Sequence, residues 1–331
     1  MTDSSFLQVK KLYKYFPVYS NGVLTKKQVG NVHAVDDVSF DIKRQETFAL
    51  VGESGCGKTT TARVILNLIE PTSGEVIVDG ENIFEKFHSA NKAEKLKIRR
   101  KMQMIFQNPY GSLDPRMTVS DIISEPFVIH GHVEKEKRSD RIYELLNLVG
   151  LEEYHAERYP HEFSGGQRQR ICIARALAVE PEFIVADEPV SSLDVSIRAQ
   201  ILNLMGNLQK SMGLSYLYIS HDLSSVRQIS QRVGVMYLGQ IVELADTDEL
   251  FDNPFHPYTQ ALIEAVPIPD PRAKDIKVGL RGEVPSPITP PAGCRFNPRC
   301  PLATKECREK KPELIEVKKG HFVSCIHQNM V

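Results

Sequence analysis

The chain has 331 residues, room for two domains or for one large domain with an appendage. Its 41 lysines and arginines nearly balance 42 aspartates and glutamates, which argues against nucleic-acid binding driven by bulk positive charge. A composition 41 % hydrophobic and 25 % charged excludes a disordered or low-complexity chain. Apolar runs fall far short of the ~20 residues a membrane span needs. The first eleven residues lack the apolar core of a secretory signal, so a cytosolic protein, or one on the cytosolic side of a membrane, is expected.

Short β-branched runs alternate with longer helical patterns, the mark of an α/β domain with a mainly parallel sheet. In chain order the expected strands are Leu7–Lys10, Val32–Asp41, Thr47–Val51, Glu75–Val78, Met102–Phe106, Phe183–Ala186, Tyr216–Ile219, Arg232–Met236 and Gln240–Glu243. Phe183–Ala186 and Tyr216–Ile219 carry no polar alternation, as strands buried on both faces do not. Between Thr118 and Pro181 helical patterns follow one another without a strand, which predicts a helical insertion. Ser196–Met212 reads as an amphipathic helix ended by Gly213. The stretch Pro17–Val32 is long for a connection between the first two strands and reads as a surface loop, and Lys95–Lys101 reads as a solvated helix face. Near residue 254 the composition shifts: 12 of the 20 prolines lie between Pro254 and Pro312, and four of the six cysteines lie in the last 38 residues.

Gly52-Glu53-Ser54-Gly55-Cys56-Gly57-Lys58-Thr59 fits G-x4-G-K-[ST] between the strand Thr47–Val51 and a helical run from Thr60 to Leu68. Strand, glycine loop and helix N-terminus in that order form a phosphate cradle, in which backbone N–H groups turn inward around the anion. Lys58 is expected to reach the β- and γ-phosphates of a nucleoside triphosphate and the Thr59 hydroxyl to meet Mg²⁺, with Thr60 also at the phosphate-binding turn. The apolar run 183–186 ends in Asp187-Glu188; Asp187 suits the Mg²⁺ shell and Glu188 a general base for the attacking water.

Ser164-Gly165-Gly166-Gln167 opens a helical run, Arg168–Val179, about 20 residues before the acid pair. In a chain with a phosphate loop it resembles the signature motif of ABC-type ATPases. Other motifs follow in the family's order. Gln107 resembles the Q-loop glutamine, a Mg²⁺ ligand that ties occupancy of the ATP site to the helical insertion; Asp194, in Ser192-Leu193-Asp194, resembles the D-loop; His221 resembles the switch histidine that senses the γ-phosphate. Phe16 lies where the family stacks adenine, with Tyr13 and Tyr15 as rivals. The resemblance implies an α/β nucleotide-binding core with a mainly parallel sheet, an antiparallel β subdomain and an inserted helical subdomain. It also implies a head-to-tail dimer that sandwiches ATP between one chain's phosphate loop and the other's signature motif. It covers residues 6–265, with the helical subdomain at about 108–180. Phe163 departs from the usual leucine before the signature.

Gln107–Val119, then Asn253-Pro254-Phe255-His256-Pro257-Tyr258-Thr259 with Ala265-Val266-Pro267, and Glu283–Pro287 resemble the ATP-binding subunits of dipeptide and oligopeptide importers, specifically the second of their two paired ATPases. The resemblance implies a paralogous ATPase partner, two transmembrane permease subunits at the cytoplasmic face, an extracytoplasmic peptide-binding protein acting indirectly, and no nucleic acid. Importers of nickel, glutathione or oligosaccharides use similar ATPases. An ABC ATPase of DNA repair or translation would carry a long coiled coil or a second nucleotide domain.

The extension 266–331 holds Cys294, Cys300, Cys307 and Cys325, four thiolates that could close a metal site, with His321 and His327 as alternative ligands. Resemblance to the peptide-importer family implies a [4Fe–4S] cluster, with zinc as the alternative, in a small irregular extension. Cys56 and Cys172 read as structural fillers in the phosphate loop and the signature helix.

Overall fold

In a computed structural model, residues 5–20, 27–265 and 282–327 are described. The tail segment with Val266-Pro267 and residues 21–26 of the expected loop Pro17–Val32 lie outside them. The chain divides into two compact units: one takes residues 42–47 and 83–220, the other 5–41, 48–82 and the described residues from 221 onward.

The unit that begins at Ser5 starts with an antiparallel sheet. Leu7–Tyr19 pairs with Gln28–Ile42 on one side and with Ser73–Val78 on the other, in register Leu7↔Val78, and Glu81–Asn82 completes the edge. Of the expected loop Pro17–Val32, Pro17–Tyr19 and Gln28–Val32 are strand and prolong the two arms, and the Ser20 amide donates to the Lys27 carbonyl at 2.9 Å. Along these arms exposed and half-buried positions follow one another with little alternation, which is the pattern of a partly solvated hairpin rather than of a buried strand. In the same unit Phe48–Val51 runs parallel to Arg232–Tyr237, and a tight turn at Leu238-Gly239 sends the chain back as Gln240–Asp246. The extension is not irregular throughout. His321–Val323 adds antiparallel to Gln240–Asp246, Ile315–Lys318 adds to His321–Val323, and a short helix covers Lys305–Glu309. Strands of three and four residues leave too little periodicity to be read from sequence.

The other unit holds three parallel strands, Met102–Ile105, Phe183–Asp187 and Ser215–Ser220, in register Met102↔Phe183 and Phe183↔Ser215. Every residue of the last two is buried, in keeping with their unbroken apolar character. No strand is found between Thr118 and Pro181. Helices Val119–His130, Arg138–Leu148 and Gly165–Leu177 instead bury Ile122, Phe127, Leu145, Leu146 and Ile171. Thr118 caps the first of these through a reciprocal bond with Asp121. The basic run lies on a helix, Lys92–Lys101, that buries none of its residues, as a solvated face requires. The amphipathic helix spans Val195–Met212 and ends at Gly213 in the left-handed conformation.

Candidate functional site

In the unit that begins at Ser5, the loop Gly52–Lys58 joins the strand ending at Val51 to the helix Lys58–Ile65. Gly57, at φ +110°, lies so close to the Ala34 carbonyl that any Cβ would collide with it, which leaves glycine as the residue that closes the loop. Lys58 is 5 % exposed, and its ammonium donates to the carbonyls of Gly52 (2.7 Å) and Glu53 (3.0 Å). A cation folded over two carbonyls at the mouth of an inward-turned loop is poised to exchange them for phosphate oxygens. Cys56 is buried, with its Sγ 3.7 Å from the Lys58 ammonium and its thiol pKa raised by burial, so it serves as packing. Ser54 and Gly55 are exposed on the rim, and Thr59 and Thr60 are half-buried in the first helical turn.

Phe16, half-buried, has the Lys14 ammonium 4.9 Å from its ring centroid. The rival tyrosines are occupied. Tyr15 donates its hydroxyl to Asp36 at 3.1 Å and packs on His33 (4.3 Å); burial and Asp36 push its pKa up to about 12, and Tyr13 packs edge-on against Tyr15. His221 follows the strand Ser215–Ser220 as an exposed residue, and Asp222 caps the helix Leu223–Ile229.

In the other unit, Asp187 ends its strand buried at 3 % exposure. Glu188 turns away in the left-handed region at φ +47°, an unfavourable conformation for a residue with a Cβ, its amide bonded to the Ile219 carbonyl at 2.9 Å. Its carboxylate accepts a hydrogen bond from Gln107 Nε2 at 2.8 Å. The two residues 81 apart that the motifs single out are thus in direct contact. Gln107 follows the strand Met102–Ile105, and the side chain of Asn108 caps the turn Pro109–Ser112 after it.

Ser164 caps the helix Gly165–Leu177 in a reciprocal box: its hydroxyl accepts from the Gln167 amide (3.3 Å) and its amide donates to Gln167 Oε1 (3.0 Å). A Cβ on Gly166 would strike the Ile197 side chain, so this glycine is required by packing against the helix that follows the D-loop. Asp194 caps that helix, accepting from the Ile197 amide (3.0 Å) and from the Ser196 hydroxyl, and these bonds lower its pKa. Phe163 is buried with its ring centroid 5.3 Å from that of His155. Cys172 is buried with its Sγ 3.3 Å from the Ser112 hydroxyl.

The C-terminal cysteines lie close enough to influence one another. Burial first, then the thiols of Cys325, Cys300 and Cys307, push Cys294 up to about 11; burial also raises Cys300, with Cys325 and Cys307 beside it, and Cys325, with Cys307 and Glu243 beside it. Cys307 Sγ is 3.4 Å from both Thr304 Oγ1 and His327 Nε2. Among the described residues no group of three or more His, Cys, Asp or Glu side chains is gathered tightly enough to hold a metal ion. Zinc, whose thiolates must converge to about 2.3 Å from one centre, is therefore not supported. His321 is committed elsewhere: buried, it bonds the equally buried Glu243 at 2.7 Å.

Sequence reasoning missed a second set of residues around the phosphate loop. The guanidinium of Arg299 forms a two-pronged ion pair with Glu53 (2.6 and 3.1 Å), the Tyr258 hydroxyl accepts from the Glu53 amide at 2.9 Å, and Arg295 bonds Asp36 and the Leu238 carbonyl. The signal available was a pair of arginines spaced between two of the clustered cysteines, and nothing in it points to a partner some 250 residues away.

Two sequence families match: one described as ABC transporter, over residues 35–191, and one described as oligopeptide/dipeptide transporter, C-terminal region, over residues 242–307. The chain is similar to two oligopeptide transport ATP-binding proteins of Bacillus subtilis (strain 168), OppF at 56 % and AppF at 51 % identity. Each match covers 98 % of this chain and 97 % of the relative. It is 49 % identical, at the same coverage, to the dipeptide transport ATP-binding protein DppF of Haemophilus influenzae. A solved dimeric ATP-binding cassette in a post-hydrolysis state, bound to ADP and Pi, superposes with a TM-score of 0.62 at 30 % identity, covering 73 % of this chain and 98 % of that one.

Proposed function

This chain belongs to the ABC transporter family, with the family's ATP-hydrolysing cassette fold, and from that premise we propose that it is the ATPase subunit powering import of di- or oligopeptides. The observation that carries the substrate class is identity near one half, over almost the whole length, to curated peptide-import subunits, joined to the match of residues 242–307. We assign residues 6–265 to the nucleotide-binding domain, with the helical subdomain at about 108–180, and 266–331 to a peptide-importer extension.

In this reading Phe16 stacks on adenine, and the backbone of Gly52–Gly57, with Ser54, Gly55 and Cys56, encloses the phosphates of ATP. Lys58 neutralises the β- and γ-phosphates, while Thr59, Gln107 and Asp187 face Mg²⁺ and Thr60 completes the loop's first helical turn. Glu188 takes the proton of the attacking water, and the Gln107–Glu188 hydrogen bond at 2.8 Å keeps the base oriented until nucleotide arrives. His221 contacts the γ-phosphate. Ser164, Gly165, Gly166 and Gln167 close on the nucleotide of the opposing subunit, with Asp194 at the seam. Catalysis is then positioning and charge stabilisation. The opposing subunit is a paralogous ATPase; two permease subunits hold the pair at the cytoplasmic face, and a binding protein delivers peptide outside. No helix among the described residues is long and apolar enough to cross a membrane, so attachment through permeases is consistent with this assignment.

For Cys294, Cys300, Cys307 and Cys325 the proposed ligand is an iron–sulfur cluster. Its several iron atoms hold four thiolates farther apart than one ion does, and three of the four cysteines lie within the stretch that matches the oligopeptide/dipeptide transporter C-terminal region. When bound, it would replace the thiol protons and staple the extension.

The test uses Glu188→Gln. Phosphate release should fall at least ~100-fold while ATP binding persists. In cells lacking the chain, uptake of a labelled tripeptide should return with the wild type and not with the variant. Near-normal turnover by Glu188→Gln removes the base; restored ATPase activity without any peptide uptake removes the substrate class.

A further inference from the structure

Within one unit, Glu53, the second residue of the phosphate loop, has each of its polar groups held by a different partner. Its amide donates to the Tyr258 hydroxyl (2.9 Å), its carbonyl accepts from Lys58 (3.0 Å), and its carboxylate lies across the Arg299 guanidinium at 2.6 and 3.1 Å. Two of these three partners come from beyond residue 250. The arginine side chain is 4 % exposed and the glutamate 26 %, so the pair is largely removed from solvent, where a parallel two-bond contact fixes direction as well as distance.

Arg299 itself is rigidly placed. It lies over the Tyr237 ring, and Tyr237, Tyr258 and Phe296 pack against one another with centroids 4.7 to 5.4 Å apart. Its turn is closed by the Asn297 side chain, which donates to the carbonyls of Ala292 and Cys294, and by the Arg299 and Cys300 amides on the Phe296 carbonyl. A second arginine of the same turn, Arg295, bonds the Leu238 carbonyl, and the next residue, Gly239, donates its amide to the Cys56 carbonyl of the phosphate loop at 2.8 Å. The turn 294–300 therefore reaches the loop at two places, directly at Glu53 and through Leu238-Gly239 at Cys56.

We infer that Arg299 is a positioning residue for the phosphate-binding loop, holding Glu53 so that the loop is already shaped to receive the triphosphate. The inference rests on the ATP-binding reading of that loop. Glu53 has its amide turned outward to Tyr258 and its carbonyl turned to Lys58, which fixes the peptide planes on either side of it. Releasing the carboxylate lets those planes rotate, and each rotated loop must be reordered before nucleotide fits. The loss therefore falls on nucleotide affinity, while Glu188, Gln107 and His221, which act on the bound γ-phosphate, lie outside that loop.

The experiment measures the ATP dependence of phosphate release in the full-length chain for Arg299→Ala, Arg299→Lys, Glu53→Gln and the double variant Arg299→Ala/Glu53→Gln, below the melting temperature of each. KM for ATP should rise about tenfold in Arg299→Ala, the loss of one charge-assisted contact, with kcat within about twofold of wild type. Arg299→Lys, which keeps the charge without the fork, should lie between. The double variant should be no worse than the poorer single one, because both remove the same contact. Unchanged KM in Arg299→Ala and Glu53→Gln, even with a lowered melting temperature, would overturn the inference, as would fully additive effects. Failure of the wild-type chain to bind a fluorescent ATP analogue would instead strike the nucleotide reading itself.

Discussion

His256 is completely enclosed, and its Nδ1 accepts a hydrogen bond from the Tyr258 amide at 3.1 Å, an arrangement that requires an unprotonated Nδ1. Loss of water around the ring lowers its pKa to about 4, against the opposing pull of Glu243. Because the folded pKa is depressed below the ~6.5 of an unfolded histidine, the unfolded chain binds the extra proton first as pH falls. This ring then contributes a constant amount above pH ~6.5, progressively less down to about 4, and nothing further below, a total of roughly 3 kcal/mol. Urea unfolding at pH 7.5, 6 and 5 should show this slope in the wild type and a shallower one in His256→Asn. An equal slope in both would assign the acid sensitivity to other groups. The same ring holds the Tyr258 amide, so the tyrosine that accepts from the phosphate loop's Glu53 amide is anchored by a histidine that performs no chemistry.

At the scale of elements, the strand Gln240–Asp246 is the anchor of the C-terminal extension. Glu243, buried at its centre, accepts from the amides of Phe255 (2.7 Å) and His256 (2.9 Å) and bonds His321 of the terminal hairpin (2.7 Å). One carboxylate thus fixes both the start of the helix Pro257–Glu264 and the added strand His321–Val323. Glu243→Ala leaves three buried donors without an acceptor and should cost about 3–5 kcal/mol, the range for breaking one side of a buried charged contact. Chemical denaturation of the two proteins measures this, and a loss under about 1 kcal/mol would mean that water replaces the carboxylate. Signature helix and D-loop helix show the opposite economy, since Gly166 against Ile197 spends no polar contact and needs only the absence of a Cβ.

For the whole molecule, the extension contributes to the nucleotide unit and is not a mere appendage. It adds two strands, supplies Arg295 and Arg299, and gathers four thiols around the turn that carries those arginines. Chain purified without oxygen should be brown and contain about four iron atoms with matching sulfide. Cys307→Ser should lose both colour and iron. A colourless chain with stoichiometric zinc, or with no metal and six free thiols, would remove the cluster from the proposal.

The motif residues were legible because each is a local requirement. A phosphate loop must have its glycines and lysine at fixed offsets after a buried strand, and Phe183–Asp187 announces its burial by having no polar alternation. The long arms of the first hairpin were not legible, since exposed strand residues alternate too weakly to differ from a loop, and neither was the terminal hairpin, too short to show a period. The sequence by itself determined the nucleotide-binding chemistry and the family, through side chains whose spacing is dictated by backbone geometry over a few residues. Only the tertiary structure decided that Gln107 touches Glu188 and that Arg299 grips Glu53. Such pairs join residues 81 and 246 positions apart, and a hydrogen bond or ion pair depends on distance in space, which no local pattern encodes.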